Sequence, residues 1–513
     1  MAAITSHWIL DSIILFASLI VFSYFYVTRK FGYWKKRGVT EFKPTPFIGN
    51  LGDCLTVKKS AGQWLEDCYN NSAGLPYVGL YLFHKPTLLV RDPELIKNVL
   101  VRDFNYFQDR YARASADDKL GSSNLFTIKN PAWKTLRSKI TPIYTSGKVK
   151  KMFELMVEIG DDLDTHMKSL DLGKKGKVLE LKEISAKFTT DMIATTAYGL
   201  RVNSLNNPDA EFRKHGYDIF RKTFYRSIEL SCIFFLPEMV GPLGFKFFSK
   251  KSTHFLRNTM WEVLMERERS GIKRNDLIDL LVELRKSYLE SSDKGHFEFD
   301  GDNLVAQAAI FFTGGFETSS STLSFSLYEL AINPEIQSKL RNEILEGLEQ
   351  TNGKITYDLL MNLRYLDMVV AETLRKYPPL PFLDRVALAD YKVPNSDFII
   401  EKGTPVFISM TGLHYDPQYF PDPDKYDPER FSEENKKSRK PCVYIPFGEG
   451  PHNCIGMRIG LLQSKLGLVK LLTKYEFSSC KETQIPLRIS PKILITASES
   501  GIFLNVNELV AAK

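Results

Sequence analysis

The sequence predicts a mainly helical fold with minor β structure (the α+β class), built as one large domain behind an N-terminal transmembrane helix. Most of the chain between residues 148 and 474 carries apolar side chains at helical spacing. Only Tyr77–Asp92 and Lys392–Met410 show the pattern of short strands joined by turns. No internal repeat, low-complexity linker or charge block divides the 513 residues, so a single domain is the economical interpretation.

The composition excludes several classes of protein. With 43% hydrophobic and 25% charged residues, the chain is typical of a folded globular protein. Its six cysteines lie far apart without a CxxC pair, which favours a reducing cytosolic environment over a disulfide framework. The net charge of +7 comes without a basic tract interleaved with aromatics, so nucleic-acid binding has no support.

The first element is a predicted membrane anchor. Ile9–Val27 contains a single charge, Asp11, and approaches the ~20 residues that cross a ~30 Å hydrocarbon core. A cleaved signal peptide is the alternative, but its apolar core is usually ~7–15 residues long and follows a positive charge. No such charge precedes this run, and no A-x-A-like cleavage site follows it. An uncleaved anchor is therefore the better interpretation.

The charges after the apolar run predict its orientation. Five basic residues follow it within ten positions, and no acid occurs between Asp11 and Glu41. Positive flanks remain on the cytoplasmic side, so the rest of the chain is expected to face the cytosol. We therefore predict residues 1–28 as the anchor, 29–50 as a basic, proline-containing linker, and 51–513 as the folded domain.

Helical periodicity predicts the remaining elements. The predicted helices are Lys148–Leu170, Glu183–Gly199, Phe255–Glu268, Asp276–Ser291, Asn303–Ala331, Pro334–Glu349, Leu363–Tyr377 and Gly456–Lys474. Asp416–Phe431 holds four prolines, which predicts an ordered meander without regular structure.

The loop "PFGEGPHNCIG" places Cys454 just before an apolar stripe at helical spacing. Cys454 is therefore expected at a helix N-terminus, where the helix dipole and free N–H groups stabilise a thiolate. His452 and Cys454 together supply only two of the three or four ligands of a zinc site. A thiol nucleophile with His452 as its base is a further alternative, although no oxyanion or triad pattern accompanies it. A structural cysteine is the remaining alternative.

Three further segments carry candidate chemistry. In "IFFTGGFETSSST", two helical glycines cost about 1 kcal/mol each relative to alanine, which indicates close packing or local opening of the helix. Thr318 can bond the carbonyl of Gly314, and Glu317 offers a proton source. The alternative is a tolerated glycine pair before a solvent-facing turn.

In "NPAWKTLR", Asn130 is the predicted N-cap and Pro131 the first helical residue. Trp133 and Arg137 then share one face, which suits a carboxylate or phosphate, or a simple stacking pair. In "ETLRKYPP", Glu372 and Arg375 lie three residues apart, and the helical wheel turns both away from the apolar face. The wheel alone predicts a surface ion pair worth under ~1 kcal/mol.

Together and in this order, these motifs resemble the cytochrome P450 superfamily from Arg29 to Leu509. The resemblance rests on the cysteine loop ending at Gly456, on Glu372-x-x-Arg375, on "PERF" at 428–431, and on the pair Glu317-Thr318. Two finer features, "WKTLRSKITPIYTSGKVKKMF" and "ETLRKYPPLP", are similar to the insect microsomal branch that metabolises xenobiotics.

The resemblance implies a haem-thiolate monooxygenase-type domain with haem b held by Cys454, whose electron-rich thiolate favours O–O cleavage. It implies that the haem packs on Phe447 and Gly456 and that Gly314–Thr318 line the oxygen groove, with Glu317 and Thr318 as catalytic residues. The family usually has alanine at position 314 and a propionate-clamping arginine at position 452. The implied haem-propionate residues are Trp133, Arg137 and Arg385, with His452 in place of that arginine. The implied structural network is Glu372, Arg375 and Arg430, and the implied substrate pocket is Phe126, Ile310, Thr313, Leu380, Phe382 and Leu494.

The activity implied is the insertion of one atom of O2 into lipophilic compounds such as plant toxins or insecticides, at the endoplasmic reticulum membrane. Electrons would come from NADPH through a flavoprotein reductase, with cytochrome b5 as an auxiliary donor. The basic residues that could attract such partners are Lys134, Lys139, Lys436, Lys437, Arg439 and Lys440. The alternatives are a hydroxylase of one endogenous sterol or fatty acid, and a haem sensor or carrier, which has no need of the Glu317-Thr318 pair.

Overall fold

The computed structural model describes residues 7–173, 175–293 and 295–509, so residues 1–6 of the predicted anchor and 510–513 of the predicted domain lie outside it. The helices of the described residues are α1 (Trp8–Thr28), α2 (Gly52–Leu55), α3 (Ala61–Asn70), α4 (Pro93–Lys97), α5 (Lys119–Ser122), α6 (Ala132–Ile140), α7 (Ser146–Ser169), α8 (Leu181–Ile193), α9 (Glu211–Ile219), α10 (Phe224–Phe235), α11 (Pro237–Val240), α12 (Lys250–Ser270), α13 (Leu277–Glu290), α14 (Gly301–Ile332), α15 (Pro334–Gln350), α16 (Tyr357–Asn362), α17 (Arg364–Lys376), α18 (Met410–His414), α19 (Glu433–Ser438) and α20 (Met457–Lys474).

The strands form three small sheets. They are β1 (Tyr77–Leu82), β2 (Lys85–Val90), β3 (Lys177–Glu180), β4 (Phe382–Val386), β5 (Tyr391–Lys392), β6 (Ile399–Ile400), β7 (Pro405–Ser409), β8 (Tyr475–Ser478) and β9 (Phe503–Glu508). The largest sheet has the order β1-β2-β7-β4, the second β3-β9-β8, and the third pairs β5 with β6. In the largest sheet only β2 and β7 run parallel, with Leu89 opposite Phe407.

Helix α14 is the centre of the fold. Its 32 residues are apolar or small around most of the circumference, which is the pattern of a helix buried on all sides. It packs mainly against α8 and α20 and also contacts α17 and α12. An exposed residue near the middle of such a covered helix therefore indicates an internal space beside the helix.

The predicted mainly helical fold is confirmed, and all the predicted helices are present with ends shifted by a few residues. Two local predictions near α6 and the meander are wrong. Helix α6 begins at Ala132, Pro131 takes the N-cap position without a side-chain cap, and the Asn130 amide instead donates to Asp109 Oδ1 at 3.2 Å. The meander ends in a 3-10 turn, Pro428–Phe431, because Asp427 caps the N–H of Glu429 at 3.1 Å.

The segment after α1 is packed on the largest sheet. Trp34 is 1% exposed, and its indole N–H donates to the carbonyl of Leu80 at 3.0 Å. Tyr33 donates to Glu401 Oε2 at 2.7 Å, and the guanidinium of Arg37 pairs with the same carboxylate. Helix α1 is long and apolar enough to cross a membrane, and most of its side chains are exposed. The anchor-like helix is therefore joined to the domain by a docked segment.

Candidate active site

The cysteine loop is held by its own backbone. The N–H of Cys454 donates to the carbonyl of Phe447 at 2.8 Å, and the N–H of Gly448 donates to that of Ile445 at 2.9 Å. Gly450 adopts φ +70°, and a Cβ there would lie 2.0 Å from the carbonyl oxygen of Leu100. Only glycine therefore allows the loop to pass this neighbour.

Cys454 stands two residues before the N-cap of α20, Gly456. Its side chain is exposed although protein atoms surround it closely, which indicates that it borders an internal space. Burial raises the pKa of the thiol, although the N–H of Gly456 and the guanidinium of Arg137 act in the opposite direction. The charge of a bound metal would favour the thiolate more strongly than the helix terminus does.

Gly314 on α14 also borders open space. It is exposed in the middle of the otherwise buried α14, and a Cβ there would meet no atom within 4 Å. One turn later the hydroxyl of Thr318 donates to the carbonyl of Gly314 at 2.6 Å. This is the bond that the sequence predicted.

Helices α14 and α20 touch just beyond these residues. The Ser319 hydroxyl lies 3.5 Å from the Cβ position of Gly460, and Ser464 donates to the Ser319 carbonyl at 3.4 Å. Further along both helices, the Cβ position of Gly467 lies 2.7 Å from the side chain of Leu323, so α14 and α20 run in the same direction and Gly314 and Cys454 lie on the same, N-terminal side of these contacts. They therefore border one gap between the two helices.

Three guanidinium groups gather beside the gap. Arg137 donates to Asn453 Oδ1 at 2.7 Å, next to the cysteine. Arg385 is 1% exposed, and Arg110 stacks on Phe126 with its guanidinium carbon 4.3 Å from the ring centroid. The Nε atoms of Arg110 and Arg385 are buried and have no hydrogen-bond partner.

These cations lack matching anions. Burial, followed by the nearby charge of Arg110, lowers the pKa of Arg385 to about 9. Among the described residues, Asp384 Oδ1 is the carboxylate oxygen that pairs with Arg110, at 3.5 Å. Since buried charges are normally paired, the unpartnered donors call for an anionic ligand. The two carboxylates of haem fit this requirement, and the sulfur and bare glycine fit its iron and its flat ring.

His452 occupies the centre of the arginine cluster. Its ring stacks on Trp133 with centroids 3.7 Å apart, and its Nε2 lies 2.5 Å from the carbonyl of Gln108. Burial and the charges of Arg385 and Arg110 hold the pKa of His452 far below its usual range. The neutral ring therefore donates its single proton to Gln108 and leaves Nδ1 as an acceptor, so His452 supports Trp133 without adding a cation.

Glu317 is part of a buried ion pair. Its Oε1 lies 3.0 Å from Nζ of Lys182 on α8, and the lysine also donates to Ser320 at 2.5 Å. Burial lowers the pKa of Lys182, although the charge of Glu317 counteracts the effect. The carboxylate adjacent to Thr318 is therefore coupled to a lysine that the sequence analysis did not identify.

The Glu372–Arg375 pair is buried, contrary to the helical wheel. Both side chains are 0% exposed and joined by bonds of 2.7 and 2.8 Å. Glu372 also accepts the N–H of Asp427 at 2.9 Å and lies 3.5 Å from Nε of Arg430. The wheel failed because the meander covers the polar face of α17, which only the tertiary structure reveals. Glu372 therefore lies between the guanidinium groups of Arg375 and Arg430 in the structure.

Among the residues assigned to the pocket, Phe126 and Phe382 both contact Phe234, at 5.9 Å in each case. Phe235 contacts Phe382 at 5.4 Å and lines an apolar groove together with Leu494. Ile310 and Leu380 are partly exposed. Thr313 is 3% exposed and donates to the carbonyl of Ala309 at 2.8 Å.

The sequence analysis missed three residues: Arg110 and Lys182, described above, and His414, whose Nε2 accepts the N–H of Ile445 beside the cysteine loop at 3.1 Å. Arg110 and Lys182 stand in polar segments, where solvated charges are the usual expectation. His414 follows an apolar run, "FISMTGLH", which is a weak signal for a buried histidine. Their partners are distant in sequence, so no spacing rule identifies them.

Comparison with known proteins agrees with this geometry. The family model described as cytochrome P450 matches residues 40–505. The chain is 48% identical to cytochrome P450 6k1 of Blattella germanica over 98% of both chains. It is 44% identical to probable cytochrome P450 6g2 of Drosophila melanogaster over 96% of this chain and 98% of that protein. The matched range contains all the site residues described above.

Proposed function

The chain belongs to the cytochrome P450 family, and on that premise we propose an NADPH-supplied monooxygenase of lipophilic compounds. Family membership implies a haem-binding oxidoreductase that uses O2. We assign its substrates to foreign compounds such as plant toxins and insecticides, a role that fits the insect relatives. The observation that carries the proposal is the gap bordered by Cys454 and Gly314 beside Arg110 and Arg385, whose buried Nε atoms have no partner among the described residues.

The haem would be held from two directions. Cys454 is the proposed iron ligand, with Phe447 and Gly456 beside it in the loop. Arg110, Arg137 and Arg385 would hold the propionates, because buried guanidinium groups form strong charge-assisted bonds with carboxylates. When bound, the haem supplies O2 binding and activation at an iron made electron-rich by the thiolate.

The chain's own residues would manage protons and water on the Gly314 side. The hydroxyl of Thr318 donates its proton to the carbonyl of Gly314. Its oxygen can therefore accept a hydrogen bond from a water in the gap. Glu317 is paired with Lys182 at 3.0 Å, so the two side chains would pass a proton together. Such a relay gives Glu317 a role that a passive haem binder does not need.

The substrate would reach the gap past aromatic side chains. The groove at Leu494 and Phe235 adjoins Phe382, which lies in the same cluster as Phe126. Such a lining favours burial of apolar molecules and offers few polar groups to select among them. This composition supports a broad lipophilic substrate class.

Electrons would arrive at the face that carries the cysteine loop. Lys134 and Lys139 on α6 and three lysines before the loop, at positions 436, 437 and 440, are exposed there. Arg439 is partly buried, packs on Phe431 at 4.3 Å and contributes less to this surface. We assign the basic face to an acidic flavoprotein reductase and to cytochrome b5, and α1 to the endoplasmic reticulum membrane with the domain in the cytosol.

The test is the carbon-monoxide difference spectrum of the reduced protein, compared with that of Cys454→Ser. Wild type is expected to show the red-shifted band of a thiolate ligand, and the variant is expected to lose it. Cys442→Ser, in the same region of the chain, is the matched control and is expected to keep the band. A wild-type protein without the band would overturn the Cys454 assignment. Turnover of a mixed panel with purified reductase then separates foreign compounds from a single sterol or fatty acid.

A further inference from the structure

We propose that His414 is a positioning residue that fixes the cysteine loop to the Glu372–Arg375 pair through its two ring nitrogens. His414 is the last residue of α18 and is 0% exposed. This inference rests on the proposed function, in which Cys454 is the thiolate ligand, because His414 would control the position of the Cys454 sulfur. It adds a residue that acts on the ligand through the backbone of the loop.

One side of the imidazole binds α17. Its Nδ1 lies 3.2 Å from the carbonyl oxygen of Arg375, and the guanidinium of Arg375 donates to the carbonyl of His414 at 2.9 Å. Arg375 stands next to the end of α17, where helix carbonyls have no partner within the helix. The reciprocal pair therefore satisfies an otherwise open carbonyl and locks α18 onto α17.

The other side of the imidazole binds the cysteine loop. The N–H of Ile445 donates to Nε2 of His414 at 3.1 Å. The carbonyl of Ile445 accepts from Gly448, and the next turn of the loop closes between Phe447 and Cys454 at 2.8 Å. One bond from the backbone to the imidazole and two backbone–backbone bonds thus lie between His414 and the sulfur-bearing residue.

The hydrogen bonds require one tautomer. The Ile445 N–H is a donor, so Nε2 must be unprotonated, and Nδ1 must carry the proton that it donates to Arg375. Burial and the positive charges of Arg375 and Arg439 lower the pKa of His414 to about 3, so the ring stays neutral at physiological pH. If Nε2 were protonated, it would face the N–H of Ile445, which is also a donor, and the hydrogen bond to the cysteine loop would be lost. The ring is also stacked on Tyr444, 5.3 Å between centroids, which holds its plane.

Two conservative variants separate the two bonds. The amide of Gln reaches the position of Nε2 and can still accept from Ile445, whereas the amide of Asn reaches that of Nδ1 and can still donate to Arg375. His414→Gln therefore keeps the loop bond and His414→Asn keeps the helix bond. Each loses one hydrogen bond, so a merely structural role predicts similar effects of the two. The exposed His254, bonded to Asn258, provides matched His254→Gln and His254→Asn controls.

The first measurement is hydrogen exchange at the Ile445 amide in the haem-loaded proteins. We expect exchange about tenfold faster in His414→Asn than in His414→Gln, the factor that corresponds to one typical hydrogen bond. Both His254 variants are expected to match wild type. Equal exchange rates in the two His414 variants would overturn the proposal. Wild-type exchange at Ile445 as fast as at exposed loop amides would overturn it as well, even if a variant failed to fold.

The second measurement is the carbon-monoxide spectrum and the reduction potential of the same proteins. His414→Asn is expected to convert a larger fraction of the thiolate band into the band of a protonated thiol and to shift the potential. His414→Gln is expected to keep both the thiolate band and the reduction potential close to those of wild type. A wild type without the thiolate band would sink the proposed function, whereas a normal wild type with two indistinguishable His414 variants would sink this inference alone.

Discussion

Replacing Glu372 with alanine tests the finding that its ion pair with Arg375 is buried. The substitution removes two bonds to the guanidinium, at 2.7 and 2.8 Å, and the acceptor of the Asp427 N–H at 2.9 Å. Arg375 would remain 0% exposed with carbonyl partners only, among them His414 at 2.9 Å and Pro423 at 2.7 Å.

Removing one partner of a buried ion pair costs about 3–5 kcal/mol, because the other charge is left uncompensated. At ~1.4 kcal/mol for each factor of ten, the ratio of unfolded to folded protein would rise by about two to three and a half orders of magnitude. A surface pair of the same spacing is worth only ~0–1 kcal/mol. The two values are far enough apart to be separated by experiment.

Glu266 offers the matched control. It pairs with Arg269 in the same i,i+3 order as Glu372 and Arg375, but the two side chains are 56% and 81% exposed. Urea unfolding followed by circular dichroism compares Glu372→Ala with Glu266→Ala, since the midpoint shift multiplied by the slope gives the change in free energy. Changes in the two variants that agree within about 1 kcal/mol would refute the burial argument.

Three other substitutions test the site and its surroundings. Arg385→Met is expected to stabilise the haem-free protein, because it removes a buried guanidinium whose Nε has no partner among the described residues. It is also expected to speed haem transfer to apomyoglobin several-fold, because it removes a proposed propionate donor; slower haem loss would contradict this. Thr318→Ala is expected to keep haem but to lower the fraction of NADPH recovered as product, and unchanged coupling would argue against the relay. Burial raises the pKa of Glu66 to about 7 from 4.5, so the native state binds the extra proton between these values and stability falls as pH rises through that window. Glu66→Gln should therefore gain unfolding free energy over wild type from pH 4.5 to 7.5, and a constant difference would show that the carboxyl is not responsible.

The sequence predicted those features that depend on local spacing. The apolar stripes of α14 and α20 lie within single segments, as does the bond from Thr318 to Gly314, so periodicity and motif order were sufficient. The short strands β3, β4, β8 and β9 were missed because their pairing partners are far away in the chain, and a strand of four to six residues has little pattern of its own. The helical wheel placed Glu372 on the surface for the same reason, since the meander that covers it is distant in sequence.

What the sequence by itself determined is the family, the mainly helical fold and the order of the motifs around Cys454, all of which are written in neighbouring residues. Only the tertiary structure decided that Arg110 joins Arg137 and Arg385, that Lys182 pairs with Glu317, and that His414 connects α17 with the cysteine loop. The physical reason is that a charge or a ring nitrogen acquires its role from what surrounds it after burial. Those surroundings come from segments tens to hundreds of residues apart, which no local pattern encodes.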